Sequence, residues 1–292
     1  MLETLSPEEP GWSAQFAAGS LILSALVGSG AAWLWIAGSW FSGRWQPVFQ
    51  VRKPVRWPLL IVPAALLVWL LVPGLVAEVI SPTLAVPDVL AGESTVETGP
   101  VLDLSERRLM ALCVGQTVAQ VAVLVVMLGG GRMAPRDLGL GRQAWSHEIA
   151  AGCRGFLASI LPVAMVLLLT QSLRSEETIH PFLKLLADSP PSMTVAWIVL
   201  RAVILAPLIE ELVFRSLIQG PLERYLPIPV AIIGSSLLFS AVHGLPDAIP
   251  LVPLGIVLGY VYHRRRSLVA VVVTHALFNA GNLAIVYLST LH

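Results

Sequence analysis

Charge is what this sequence has least of. Only 12% of its 292 residues are Asp, Glu, Lys or Arg, about half of the roughly 25% usual in soluble domains, so a soluble globular reading is poor. Acidic and basic residues balance at 18 each, and the chain therefore lacks the excess positive charge that nucleic-acid binding requires. Cysteine is confined to Cys113 and Cys153, in or beside apolar segments and with no CxxC or Cys/His spacing. That leaves neither a disulfide framework nor a zinc knuckle, and both read as packing residues. Lysine is nearly absent beside arginine, a compositional habit, and asparagine occurs only at Asn279 and Asn282.

Apolar residues are abundant: 56% of the chain, with a mean hydropathy of +0.79. Against the roughly 20 residues that a helix needs to cross the hydrocarbon core, the sequence offers eight segments, near 15–39, 58–80, 109–129, 155–173, 194–219, 229–245, 250–262 and 268–289. The fold class expected is an all-α, polytopic membrane bundle of about eight transmembrane helices. The seventh segment, "PLVPLGIVLGYVY", is short and rich in proline and glycine. The first follows "MLETLSPEEPG", an acidic flank with no basic leader and no small-residue cleavage site after it, which argues for a retained span. No internal repeat is evident.

Loop charges orient the bundle without use of any motif. Arg44, Arg52, Lys53 and Arg56, then Arg132, Arg136, Arg142 and Arg154, then Arg224, then Arg264, Arg265 and Arg266 fall on one side if all eight segments cross. The other side is mainly acidic, from Glu3 and Glu97 to Asp188 and Asp247. The arginine loops are thus expected in the cytoplasm and both termini outside, as a multi-pass protein of the cell membrane.

Ionisable groups at membrane depth are costly enough to mark function. Within the last four segments the polar residues considered are Arg201, Glu210, Glu211, Arg215, His243, His275, Asn279 and Asn282. Glu211 and Arg215 are four apart, and an ion pair that neutralises both is the simplest account. Arg201, near the outer end of its helix, could snorkel or neutralise an acidic loop residue. Glu210 points about 100° away from Glu211 and has no partner in its own helix, so it must protonate or find one elsewhere. Measured from the arginine side at the helical rise, Glu210 lies roughly 15 Å deep, His275 roughly 13 Å and His243 about 22 Å. Three titratable groups from three helices thus share one band of the membrane and are expected to form one polar site.

A carboxylate and an imidazole can hold a water between them and take its proton, as hydrolysis requires. Glu210, His243 and His275 also form a donor set for a divalent metal such as zinc, since two histidines and a glutamate leave a position open. Asn279, on the His275 face, can donate to a developing oxyanion or orient the histidine. Asn282 reads as a helix-packing hydrogen bonder, and Phe239, four before His243, as an aromatic packed beneath it. Breaks at Pro207, Gly244–Pro246 and Pro253 are places where water and an extended substrate could enter.

"EELVFR" from Glu210 to Arg215, "FSAVH" from Phe239 to His243 and "HALFN" from His275 to Asn279 follow one another in three consecutive apolar regions. In order and orientation they resemble the EExxxR, FxxxH and HxxxN motifs of the CPBP intramembrane proteases, the group of the type II CAAX prenyl endopeptidases (Rce1-like) and the bacterial Abi and immunity proteins. "RDLGLGR" from Arg136 to Arg142 is similar to a less specific segment ahead of the family's core. The resemblance implies a catalytic membrane core over 136–292, preceded by a variable transmembrane region of about three helices over 1–135. It further implies Glu210 as the water-activating glutamate with His243 as its partner, and His275 with Asn279 as the pair that polarises the scissile carbonyl. In the metalloprotease version Glu210, His243 and His275 are metal ligands instead. Glu211, Arg215 and Phe239 are supporting residues. The expected partners are the lipid bilayer and a membrane-protein or lipidated-peptide substrate. A non-catalytic scaffold or immunity-type protein and a proton-coupled transporter are the competing classes.

Overall fold

The computed structural model describes residues 12–43, 61–81, 106–130, 140, 144–174, 186 and 192–290. The "RDLGLGR" segment, the basic loop residues Arg44 to Arg142 and the acidic residues of the opposite loops other than Asp247 lie outside them, apart from Leu140 and the backbone of Glu106. Among the described residues the regular structure is helical throughout, as expected where lipid supplies no hydrogen bonds to the backbone. Eight helices follow in order: α1 (Trp12–Phe41), α2 (Ile61–Ile80), α3 (Glu106–Val125, continued by a π turn over Val126–Gly130), α4 (Trp145–Leu169), α5 (Ser192–Tyr225), α6 (Ile228–Ala241), α7 (Ala248–Arg265) and α8 (Leu268–Thr290).

Six of them are long and apolar enough to cross a membrane. The exceptions are α6, with 14 residues, and α7, with 18. At the helical rise these span about 21 and 27 Å, short of a core near 30 Å. The protein is a polytopic helical membrane bundle. It is built on α4, which packs against α1, α7 and α8, while α2 lies along α3 and α3 leans on α5.

Close approach of backbones shapes these contacts. A Cβ on Gly155 of α4 would stand 2.6 Å from Thr274 Oγ1 of α8, and one on Gly255 of α7 would stand 2.9 Å from Ser236 Cβ of α6. Small residues at helix crossings are how apolar helices gain contact in a solvent as apolar as themselves. Prolines are handled by the same neighbours. Pro162 removes the N–H that would bond the carbonyl of Ala158, and the indole Nε1 of Trp33 on α1 donates to that oxygen at 3.1 Å.

Three expectations change. The fourth span begins at Trp145, not 155, so Arg154 lies on a helix rather than in a loop. Charge lowered the apparent hydropathy of that stretch, yet Glu148 is buried and ion-paired with Arg265 at the end of α7. The sixth span ends at Ala241, which puts His243 on the turn that leaves α6. Rather than snorkel, Arg201 turns into the bundle, donating to Gln116 Oε1 of α3 at 2.7 Å and to the carbonyl of Leu112 at 3.3 Å. Of the two cysteines, Cys113 is buried and Cys153 exposed.

Where the arginine loops were expected, a second polar cluster closes the bundle. Glu223 at the end of α5 pairs with Arg266 and with His263 Nδ1 at 3.1 Å, and accepts from Gln219 Nε2 at 2.9 Å. Arg266 itself caps α7 in the left-handed region, at φ 47°. These bonds fix α5 to the α7–α8 turn.

Candidate active site

Glu210 and Glu211 stand on a short α stretch, Ala206–Glu211, between two π stretches, Leu200–Leu205 and Leu212–Gln219. Such widenings leave helical carbonyls without their usual donors and recur at functional positions. Here the cause is readable. The N–H of Ala206 bonds back to Arg201, and Pro207 has none to give, so the carbonyl of Ala202 loses both donors that a helix would offer. Asn279 of α8 supplies the replacement, its Nδ2 donating to Ala202 at 2.8 Å.

The ion pair within α5 is present. Arg215 Nε donates to Glu211 Oε2 at 2.9 Å with both side chains fully buried. Arg215 also donates to Ser235 Oγ of α6 at 2.9 Å, and Ser235 passes its own hydrogen to the carbonyl of Phe214 at 3.1 Å. What sequence reasoning missed is the other oxygen. Glu211 Oε1 stands 2.8 Å from Nδ1 of His275 on α8. A carboxylate only accepts, so that nitrogen carries a proton and Nε2 is the nitrogen of His275 left for other contacts.

His243 is fixed by the same logic from a different acceptor. Its Nδ1 lies 2.8 Å from the carbonyl of Phe239, one turn back, and must donate to it, which leaves Nε2 for other contacts. Both Nε2 atoms approach one oxygen: Glu210 Oε2 is 3.8 Å from Nε2 of His243 and 3.9 Å from Nε2 of His275. Those distances exceed a direct hydrogen bond and suit a small bridging group. Phe239, fully buried, forms the floor. It stands edge-on to His243 and His275, with centroids at 5.0 and 5.5 Å, and Arg215 stacks over its ring.

The site is open on one side. The side chain of His243 is 28% exposed and that of Glu210 15%, against 3% for His275. The turn after His243 carries Gly244 at φ +72° and is tied to the end of α4 by the Arg174–Asp247 pair at 2.7 Å. Asn282 is exposed and takes no part.

Two imidazole nitrogens and a carboxylate, with both Nδ1 atoms held by acceptors, are a donor set of the kind that binds zinc. Tetrahedral ligands on bonds of about 2.0–2.2 Å stand roughly 3.3–3.6 Å apart. The present separations are slightly wider, and among the described residues no three such groups are drawn to metal-binding spacing.

The fold and these residues define a multi-pass membrane protein with a buried glutamate and histidine site reached from one face. Residues 192–281, which hold all three motifs, match the family model described as type II CAAX prenyl endopeptidase, Rce1-like, in agreement with the resemblance to the CPBP and CAAX proteases read from the motifs. The matched stretch is less than a third of the chain. No curated protein and no solved structure matches the chain.

Proposed function

We propose that this chain is an intramembrane endopeptidase that hydrolyses a peptide bond of a membrane-associated or lipid-modified protein with a water held by Glu210 and His243. The observation that carries the reading is the convergence of two imidazole Nε2 atoms on one glutamate oxygen at 3.8 and 3.9 Å. Glu210 takes a proton from the water as its oxygen attacks the carbonyl carbon. His243 accepts the water's other hydrogen bond and orients it. The same proton then passes to the leaving nitrogen as the C–N bond breaks.

A proton on Nε2 of His275 would make a donor to the carbonyl oxygen, backed by the Glu211 carboxylate at Nδ1. Asn279 spends one amide hydrogen on Ala202, and its second is the one that would reach the oxyanion. In a metal-dependent version Glu210, His243 and His275 would hold a divalent ion such as zinc, which supplies Lewis-acid polarisation and a more acidic water. The donor types suit that second reading, and the separations of 3.8 and 3.9 Å suit the first.

The test uses purified protein in detergent with a membrane-proteome peptide library. Cleavage should vanish in Glu210→Gln, His243→Ala and His275→Ala with folding retained. If the variants process what the parent does, the site is wrong. Activity that survives chelation and metal removal eliminates the metal version. Proton-driven flux in sealed vesicles would move the chain to the transporter class.

A further inference from the structure

The turn that carries Glu210 is held from outside the family-matched segment. α3 presents Gln116 and Gln120, four apart and so on one face, both almost fully buried. Gln116 accepts from Arg201, and Gln120 Nε2 donates at 2.6 Å to the carbonyl of Leu205. Arg201 and Leu205 both belong to the π stretch just before Ala206–Glu211, and Asn279 binds the carbonyl of Ala202 between them. Three side chains from two other helices therefore pin six residues of α5.

The register of that stretch decides where Glu210 points. Restoring an α turn in place of one π turn rotates the downstream part of the helix by about 100° relative to the upstream part. Such a rotation would carry Glu210 off both histidines. We propose that Gln120 is a positioning residue for Glu210: its amide, bonded to Leu205, holds the widened turn in the register that aims the carboxylate at His243 and His275. α3 is then part of the working core and not a variable addition to it. The catalytic half of this inference rests on the protease reading; the positioning half does not.

Two readouts separate the halves. On any peptide that the parent cleaves, Gln120→Met, which keeps the shape and removes the donor, should lower kcat at least tenfold with KM within twofold. Independently, histidines labelled with 13C and assigned through single His→Gln variants report the ring environments. Glu210→Gln should move the His243 and His275 signals, and Gln120→Met should move the same two while His263 stays put. Gln120→Glu adds a conditional donor, since a carboxyl group donates to Leu205 only while protonated. Its histidine signals should return toward the parent's at low pH, and those of Gln120→Met should not. Unchanged His243 and His275 signals in Gln120→Met overturn the proposal. So does failure of both variants to fold at every pH, which would make Gln120 a general stabiliser. A parent that cleaves nothing counts against the protease reading alone, because the signals still decide the positioning.

Discussion

Replacing Glu211 with glutamine tests the most interior part of the site. The carboxylate accepts from two donors at once, Arg215 Nε at 2.9 Å and His275 Nδ1 at 2.8 Å, and both it and the guanidinium are fully buried. Glutamine offers one acceptor and one donor in the same shape, so one of the two contacts becomes donor against donor. The charge on Arg215 also loses its counter-ion. Breaking a buried pair from one side costs about 3–5 kcal/mol, a large part of a typical total of roughly 5–15. Glu211→Gln should therefore unfold far earlier in a denaturant titration in detergent, and its surviving folded fraction should hold His275 with the proton moved to Nε2, visible in 15N spectra. Replacing both partners, as Glu211→Leu with Arg215→Met, removes the orphaned charge and should recover most of the loss. The reasoning fails if Glu211→Gln is as stable as the parent, or if the neutral double variant is less stable than the single one.

Other outcomes rest on the same contacts. Asn279→Leu should cost about 1–3 kcal/mol by orphaning the carbonyl of Ala202, and clearly less in a Pro207→Ala background, where the helix regains a donor; equal costs in both would refute the capping role. Gly155→Ala puts a methyl 2.6 Å from Thr274 Oγ1 and should destabilise by about 1–3 kcal/mol, an effect that Thr274→Ala should partly relieve in the same unfolding assay. For orientation, single cysteines at Glu97 and at the exposed Arg264 should label from opposite sides of sealed cells, Glu97 from outside. Labelling of Glu97 from the cytoplasm alone would reverse the topology.

Much of the site was legible because apolar sequence makes its exceptions conspicuous. Glu210, His243 and His275 stood out as ionisable groups with no reason to enter lipid, and counting residues from the arginine side put them at comparable depth. Their mutual geometry was not legible. The pairing of Glu211 with His275 joins residues 64 apart through the rotation of two helices, which a one-dimensional period does not encode. Pro207 and Asn279 were each notable alone, but their connection runs through a π turn, and a 3.6-residue period has no sign for one. Gln120 carried no signal, being an uncharged residue in the part of the chain with no motif. The early start of α4 was hidden because Glu148 reads as a hydrophilic interruption until its distant partner Arg265 is known.

The two proline-orphaned carbonyls differ in when their replacements exist. Trp33 precedes Ala158 by 125 residues, so when α4 leaves the ribosome its donor is already in the membrane. Asn279 comes 77 residues after Ala202, which at about 5–20 residues per second is a wait of roughly 4–15 s. During that interval α5 enters lipid with a bare oxygen beside two glutamates and an arginine. The helix that carries the site's first motif is thus incomplete in the bilayer until the last helix arrives. A chain cut short before α8 would leave α5 as a marked target for membrane quality control.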